Sequence, residues 1–285
     1  MTTRRARIAR RLGAALFVAG LTSAWSAEPV ATVRLYALDC GQADVSDMAS
    51  FADSGEYDGK TGRLVVPCFV IRHPKGTLLW DAGLGDALAD RPDGLVDGPF
   101  HLRMPVRLVD QLKAIGLAPD DVDFISFSHL HFDHVGNANL FRNRTTWLID
   151  GKELSGATST PPAFDTDLAS FDAYKTAKLT PFTGDFDVFG DGSVRILAAP
   201  GHTPGHKVLL IKLRRTGAVL LSGDLYHTVE NRRQKRVPTF NTSRAETLAS
   251  FDRIERIVKN MHARFVVQHA PESFAALPKF PAYLD

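Results

Sequence analysis

Apolar and polar positions alternate over residues 32–38, the period-2 pattern of a half-buried strand. Two further strand-like runs, 64–72 and 77–80, are joined by His73-Pro74-Lys75-Gly76, which suits a turn. The period changes at 106–115, where apolar side chains recur as on one face of a helix and Gly116 supplies a stop. The pattern then repeats. Short strands are expected at 123–127, 145–149, 193–198, 208–213 and 218–221, and another at 265–267. The stripe Leu248, Phe251, Ile254, Ile257 and Val258 predicts a helix over 245–261. Three stretches break the pattern. Residues 41–62 are polar and read as a long loop, with Met48 and Phe51 as side chains able to cover a pocket. Residues 91–99 are loop-like, and 150–185, broken by Pro161, Pro162 and Pro181, read as an insertion of loops and short elements. Runs of strands followed by a helix in each half imply an α/β fold, with two packed sheets, helices outside and four layers in all. No domain boundary is expected within 28–285.

The first 27 residues follow another rule. Arg4, Arg5, Arg7, Arg10 and Arg11 precede an apolar run at 12–21, and small residues stand at Ala24, Ser26 and Ala27. This reads as a secretory signal peptide, its apolar run too short to span a bilayer. The expected location is therefore the periplasm or the exterior, with no membrane span after leader removal. The formal charge of +2 includes those five arginines and no acid from residues 1–27, so the mature chain stands near −3. Such a chain has no overall attraction for nucleic acid or anionic lipid. The local run Arg232-Arg233-Gln234-Lys235-Arg236 reads as a solvated face. Of the two cysteines, Cys40 and Cys68, an oxidising compartment permits a disulfide; otherwise they pack as buried thiols.

The densest chemistry is Ser128-His129-Leu130-His131-Phe132-Asp133-His134, three imidazoles and a carboxylate in six positions of a chain with ten histidines. In an extended chain His129, His131 and Asp133 point one way and His134 the other, so two neighbouring ions share them more easily than one. Three more strands end in a metal-type ligand: His202 in Pro200-Gly201-His202-Thr203-Pro204-Gly205-His206, Asp224 in Ser222-Gly223-Asp224, and His269. Asp81, in Asp81-Ala82-Gly83, is either support for a ligand imidazole or a turn former. His206 reads as structural, and His73, His101 and His262 do not cluster.

His129-x-His131-x-Asp133-His134, followed by His202, Asp224 and His269, with Asp81-x-Gly83 upstream, resembles the metallo-β-lactamase superfamily over nearly the whole mature chain. The resemblance implies a four-layer αββα sandwich with two metal ions at one edge. His129, His131 and His202 would hold the first ion, Asp133, His134 and His269 the second, and Asp224 would bridge them. Two divalent cations less Asp133, Asp224 and a hydroxide leave about +1, which favours an ionised water and a polarised carbonyl. With no thiolate in the set, zinc leads, and iron, manganese or cobalt stay open.

Within the superfamily, β-lactamases place Cys or Ser where Asp224 stands, and glyoxalase II is longer at its C-terminus. Segments 41–43, 67–72, 223–227 and 236–241 are similar to N-acyl-homoserine lactonases, including exported ones. That resemblance implies a small acyl-lactone substrate, opened by a metal-bridging hydroxide, with Asp133 passing a proton to the leaving oxygen. Another ester, a β-lactam or an organophosphate on the same site is the alternative, and a non-catalytic metal-binding protein a more distant one. Many such lactonases carry tyrosine three residues after the bridging aspartate. This chain has His227 there and Tyr226 one place earlier, and either is a candidate to contact substrate. The pattern permits an oligomer without specifying one.

Overall fold

The structure, a computed structural model, describes residues 32–285, so the expected leader at 1–27 lies outside the described residues. The first sheet contains β1 (Arg34–Val45), β2 (Gly62–His73), β3 (Gly76–Trp80), β4 (Leu95–Asp97), β5 (Phe100–Arg103), β6 (Phe124–Ser126), β7 (Thr146–Asp150) and β8 (Lys178–Phe182). Their order is β4-β5-β1-β2-β3-β6-β7-β8, antiparallel as far as β3 and parallel from β3 to β8. The second contains β9 (Phe186–Asp187), β10 (Val194–Ala198), β11 (Lys207–Leu213), β12 (Gly217–Leu221) and β13 (Arg264–Val266), in the order β13-β12-β11-β10-β9. The helices are α1 (Leu108–Ala114), α2 (Phe132–Val135), α3 (Gly151–Thr158), α4 (Val229–Gln234), α5 (Arg244–Met261) and α6 (Pro271–Ala275).

Strand periodicity sorts the buried side chains into three apolar layers. Leu35, Phe69, Ile71, Leu78 and Trp80 of the first sheet meet Ile196, Leu209, Ile211, Val219 and Leu221 of the second. Their sequence neighbours face outward: Leu38, Val70, Leu79 and Ile125 pack with Leu108 and Leu112 of α1. On the far side Val208, Leu210 and Leu220 pack with Phe251, Ile254 and Val258 of α5. This is the expected four-layer sandwich, and burial on both faces explains why its central strands are apolar almost without interruption.

The stretches read as breaks are partly strand. β1 continues through Val45, its Gln42–Val45 end paired with both β2 and β5 after a register shift at Asp39/Gln42. The polar signal there comes partly from Asp44, which is an ion-pair partner of Arg63 and Arg103 across the neighbouring strands. Residues 91–99 contain β4, and 150–185 contains α3 and β8, so the latter is no insertion outside the sheet. Pro181 is tolerated because β8 is an edge strand, where a missing N–H costs no ladder bond. Cys40 and Cys68, buried on the paired strands β1 and β2, form a disulfide with Cα atoms 5.7 Å apart. The basic run is neutralised rather than free: Arg232 pairs with Glu255, Arg233 with Glu230, Lys235 with Asp252 and Arg236 with Glu56. Among the described residues no helix is long and apolar enough to cross a membrane.

Candidate metal centre

Every candidate ligand lies just beyond the C-terminal end of a strand. His129 and His131 follow β6, His202 follows β10, Asp224 follows β12 and His269 follows β13. The chain is not extended across the histidine-rich motif. His131 is still extended, at φ −74° and ψ 158°, but α2 starts at the next residue, and His134 N–H donates to His131 O at 3.0 Å. Asp133 and His134 are therefore delivered from a helical turn, which replaces the up-and-down alternation expected of a strand. At the neighbouring loop Gly223 has φ +48°, and a Cβ there would lie 2.7 Å from both His206 Nε2 and Ser128 Cβ. Glycine is what lets Asp224 approach the imidazoles.

The donor atoms fall into two groups, His129, His131, His202 and Asp224 in one, Asp133, His134 and His269 in the other. In the first, His129 Nε2, His131 Nδ1 and His202 Nε2 are 2.8, 3.1 and 3.0 Å apart. In the second, His134 Nε2 and His269 Nε2 are 3.1 Å apart, each within 3.7 Å of Asp133 Oδ2. Asp224 divides its oxygens between the groups. Oδ2 lies 3.3 Å from His202 Nε2 and 3.7 Å from His129 Nε2, whereas Oδ1 lies 2.8 Å from His269 and 3.2 Å from His134.

A divalent cation fits this arrangement better than hydrogen bonds do. His202 Nδ1–H donates to Asn241 Oδ1 at 2.9 Å, and His269 Nδ1–H to Val65 O at 2.7 Å. His134 Nδ1 faces the Asp81 carboxylate at 3.1 Å. His202, neutral in its buried setting, then turns an Nε2 lone pair toward His129 and His131, and lone pairs facing each other need a cation between them. A tetrahedral ion with metal–nitrogen bonds of about 2.0–2.1 Å sets its ligand nitrogens roughly 3.3 Å apart, close to the spacing here. Asp224 Oδ1 adds a further buried donor atom beside the second group.

Burial is the dominant influence on the first group. It holds His129 and His202 well below the usual imidazole range and takes His131 down to about 3, so all three are neutral and ligand-ready at pH 7. Around the second group burial acts in the same direction but is outweighed by carboxylates. Asp133, Asp224 and Asp81 hold His134 well above its ordinary value, and Asp224 and Asp133 lift His269 to about 8. For Asp224 itself, burial is overcome chiefly by the imidazoles of His269 and His134, which hold it well below the usual carboxylate range.

The two residues considered for substrate contact part company. Tyr226 is packed into the core, stacked on Phe251 with centroids 4.2 Å apart, so its ring serves α5 rather than the centre. His227 faces the site: Nε2 lies 3.0 Å from Asp224 Oδ2, and Phe51 and Phe240 meet the ring edge-on at 5.2 and 5.4 Å. Phe51 thus reaches the site as anticipated, whereas Met48 packs under Gly62. His206 is structural: Nδ1–H donates to Ala199 O and Nε2 accepts from Asp224 N–H. His73 pairs with Asp191 and stacks on Phe189, His101 contacts Asp93 and Arg103, and His262 caps α5.

Of the residues that support the ligands, Asp81 is legible in the sequence and Gln268 is not. Asp81, at φ +59°, is both turn former and support, accepting from Ser128 N–H at 2.7 Å and from Gln268 Nε2 at 2.5 Å. Gln268 Oε1 in turn accepts from Gly223 N–H at 2.9 Å, so one amide joins the loops of Asp224 and His269 to the turn at Asp81. Its position next to His269 is the only trace of this in the sequence.

Three comparisons show what the chain is similar to. The chain is 30% identical over 264 residues to the N-acyl homoserine lactonase AttM of Azorhizobium caulinodans, spanning 89% of this chain and 99% of that protein. It is 29% identical to the N-acyl homoserine lactonase AiiA of Bacillus thuringiensis subsp. kurstaki, spanning 88% and 98%. Among solved structures, an N-acyl homoserine lactone hydrolase with N-hexanoyl-L-homoserine bound at its catalytic metal centre superposes with a TM-score of 0.77. That match has 28% identity and covers 88% of this chain and 99% of the other. A family model, the metallo-beta-lactamase superfamily, matches residues 61–259. With that match running from β2 through most of α5 and taking in every candidate ligand but His269, the chain belongs to the metallo-beta-lactamase superfamily.

Proposed function

We propose that this protein is a dinuclear metallohydrolase, zinc being the favoured metal, that opens the lactone ring of N-acyl homoserine lactones. The observation that carries the reading is the bridging posture of Asp224, one oxygen turned to each imidazole group, in a chain whose relatives over nearly their whole length are named as lactonases. His129, His131 and His202 would hold one ion, Asp133, His134 and His269 the other, with Asp224 shared. Bound there, the ions would supply a water of lowered pKa and polarise the ester carbonyl.

The chain's own groups account for the rest. Asp133 is the least buried of the ligands on the second group, its side chain 18% exposed, and so is placed to take the proton given up by the attacking water and pass it to the departing ring oxygen. His227 donates Nε2–H to Asp224, which leaves Nδ1 as an acceptor, and that atom is buried with no partner. We assign it the substrate's amide N–H, on the side of the ring that the 41% exposed Phe240 borders. Export follows from the leader-like residues 1–27 and belongs to the same proposal. Incubating metal-loaded protein with N-hexanoyl homoserine lactone and titrating the released acid tests the activity. Absence of ring opening, with aryl esters or phosphotriesters turned over instead, replaces the substrate.

A further inference from the structure

Glu153 belongs to neither ligand group, yet it is a buried acid that ties together the two loops carrying the first. It lies in the first turn of α3 and is 3% exposed. Oε1 accepts the N–H of Leu130, the residue between His129 and His131, at 3.0 Å. Oε2 accepts the N–H of Gly205, in the loop of His202, at 2.8 Å. Asp150 fixes the same helix end: it accepts from Lys152 and Glu153 N–H groups and pairs with Lys207 Nζ at 2.7 Å. Lys207 N–H donates to Ser128 O at 2.8 Å, adding a second strut between the loops. The contact is close enough to require glycine, because a Cβ on Gly205 would lie 2.5 Å from Glu153 Cβ and 2.6 Å from Asp150 Oδ1.

A carboxylate is the side chain that offers two equivalent acceptors to two backbone donors at once. The geometry points to Glu153 as a positioning residue for the first metal ion, setting the separation between the loop of His129 and His131 and the loop of His202. The inference deepens the dinuclear reading and rests on it. Ligand atoms must be held to within about 0.5 Å of their working positions, and here the loops have no covalent link nearby.

Two substitutions test it. Glu153→Gln keeps the size but turns one acceptor into a donor that faces an N–H. Glu153→Asp keeps the charge but draws the carboxylate back by one methylene, so it cannot reach both loops. In whichever variant folds, zinc titration against a chromophoric chelator is expected to show one equivalent weakened by about 10–100-fold and the other unchanged. Anomalous diffraction at half loading is expected to place the retained ion at Asp133, His134 and His269. Equal weakening of both equivalents, which a general loosening of the fold would give, overturns the inference, as does retention of both. Should the parent protein bind fewer than two equivalents, the dinuclear reading fails first and takes the inference with it.

Discussion

Asp81→Asn removes a charge and almost nothing else. The backbone at this position has φ +59°, a conformation that asparagine adopts at least as readily as aspartate, so no strain is introduced. The carboxylate is fully buried, accepts from Ser128 N–H and Gln268 Nε2, and lies 3.1 Å from His134 Nδ1. An asparagine offers one oxygen to these three donors and turns its NH2 toward the others. One donor–donor clash in a buried site costs about 1–3 kcal/mol. If the NH2 faces His134, the ring must take the other tautomer, place its proton on Nε2 and withdraw the lone pair from the second ion. Outer hydrogen-bond partners of this kind change metal affinity by about 10–100-fold. The second zinc equivalent is therefore expected to weaken by about 1.4–2.7 kcal/mol, with the first much less affected. Chelator competition on Asp81→Asn reads this directly, and thermal unfolding of the metal-free protein reads the clash. Two equivalents retained at parental affinity would refute the tautomer argument.

Other expectations are independent of that one. Asp133→Asn should lower kcat for lactone opening by at least about tenfold even at saturating zinc, because the proton donor is lost; unchanged turnover removes that role. His227→Phe keeps the packing against Phe51 and Phe240 but loses the nitrogens, so kcat/KM should fall by about 10-fold or more while the fold survives. Reducing the Cys40–Cys68 bridge, or replacing both cysteines by alanine, releases a loop with a sequence separation of 28, worth about 3–4 kcal/mol; an unchanged urea midpoint argues against the bridge. Burial raises Glu153 from its ordinary 4.5 to about 7. The folded metal-free chain therefore binds a proton that the unfolded chain has released between those values. This contribution to stability is complete below about pH 4.5 and is lost as pH rises through about 7, at up to about 1.4 kcal/mol per pH unit. Urea midpoints of parent and Glu153→Gln at pH 5 and 8 should diverge accordingly, and parallel profiles would sink the assignment.

Much of the fold is legible because both sheets are covered. Strands buried on two faces are short apolar runs bounded by turns, and α5 carries its stripe without a break, so β10, β11, β12 and α5 are found within a residue or two of their ends. What is not legible lies at the sheet's margins. The far end of β1 is half polar because Asp44 serves two arginines there, and β8 contains a proline that only an edge strand accepts. In both cases the polar or breaking residue is compatible with a strand for a reason that depends on its neighbours in space.

The candidate ligands are legible for a different reason: imidazole and carboxylate at strand ends have a chemistry that survives ignorance of the geometry. Their supports are legible only in part. Asp81 is marked by its place at a strand end beside a glycine turn, but Gln268 reaches Asp81 and Gly223, and Glu153 reaches Leu130 and Gly205, each across many residues, and neither side chain is unusual in its own segment. The substrate-side groups fall between these cases. Tyr226 and His227 are adjacent and equally able to hydrogen-bond, and the choice is made by α5, whose Phe251 takes the tyrosine ring into the core and so turns His227 toward Asp224. A tyrosine at 227 would sit where the imidazole now contacts the Asp224 carboxylate. The ligand frame is held from behind by Asp81, Gln268 and Glu153, none of which touches residue 227. If position 227 contacts substrate as proposed, such a frame would accept different groups there without moving the candidate ligands, and a change of substrate preference at 227 would cost the centre itself little.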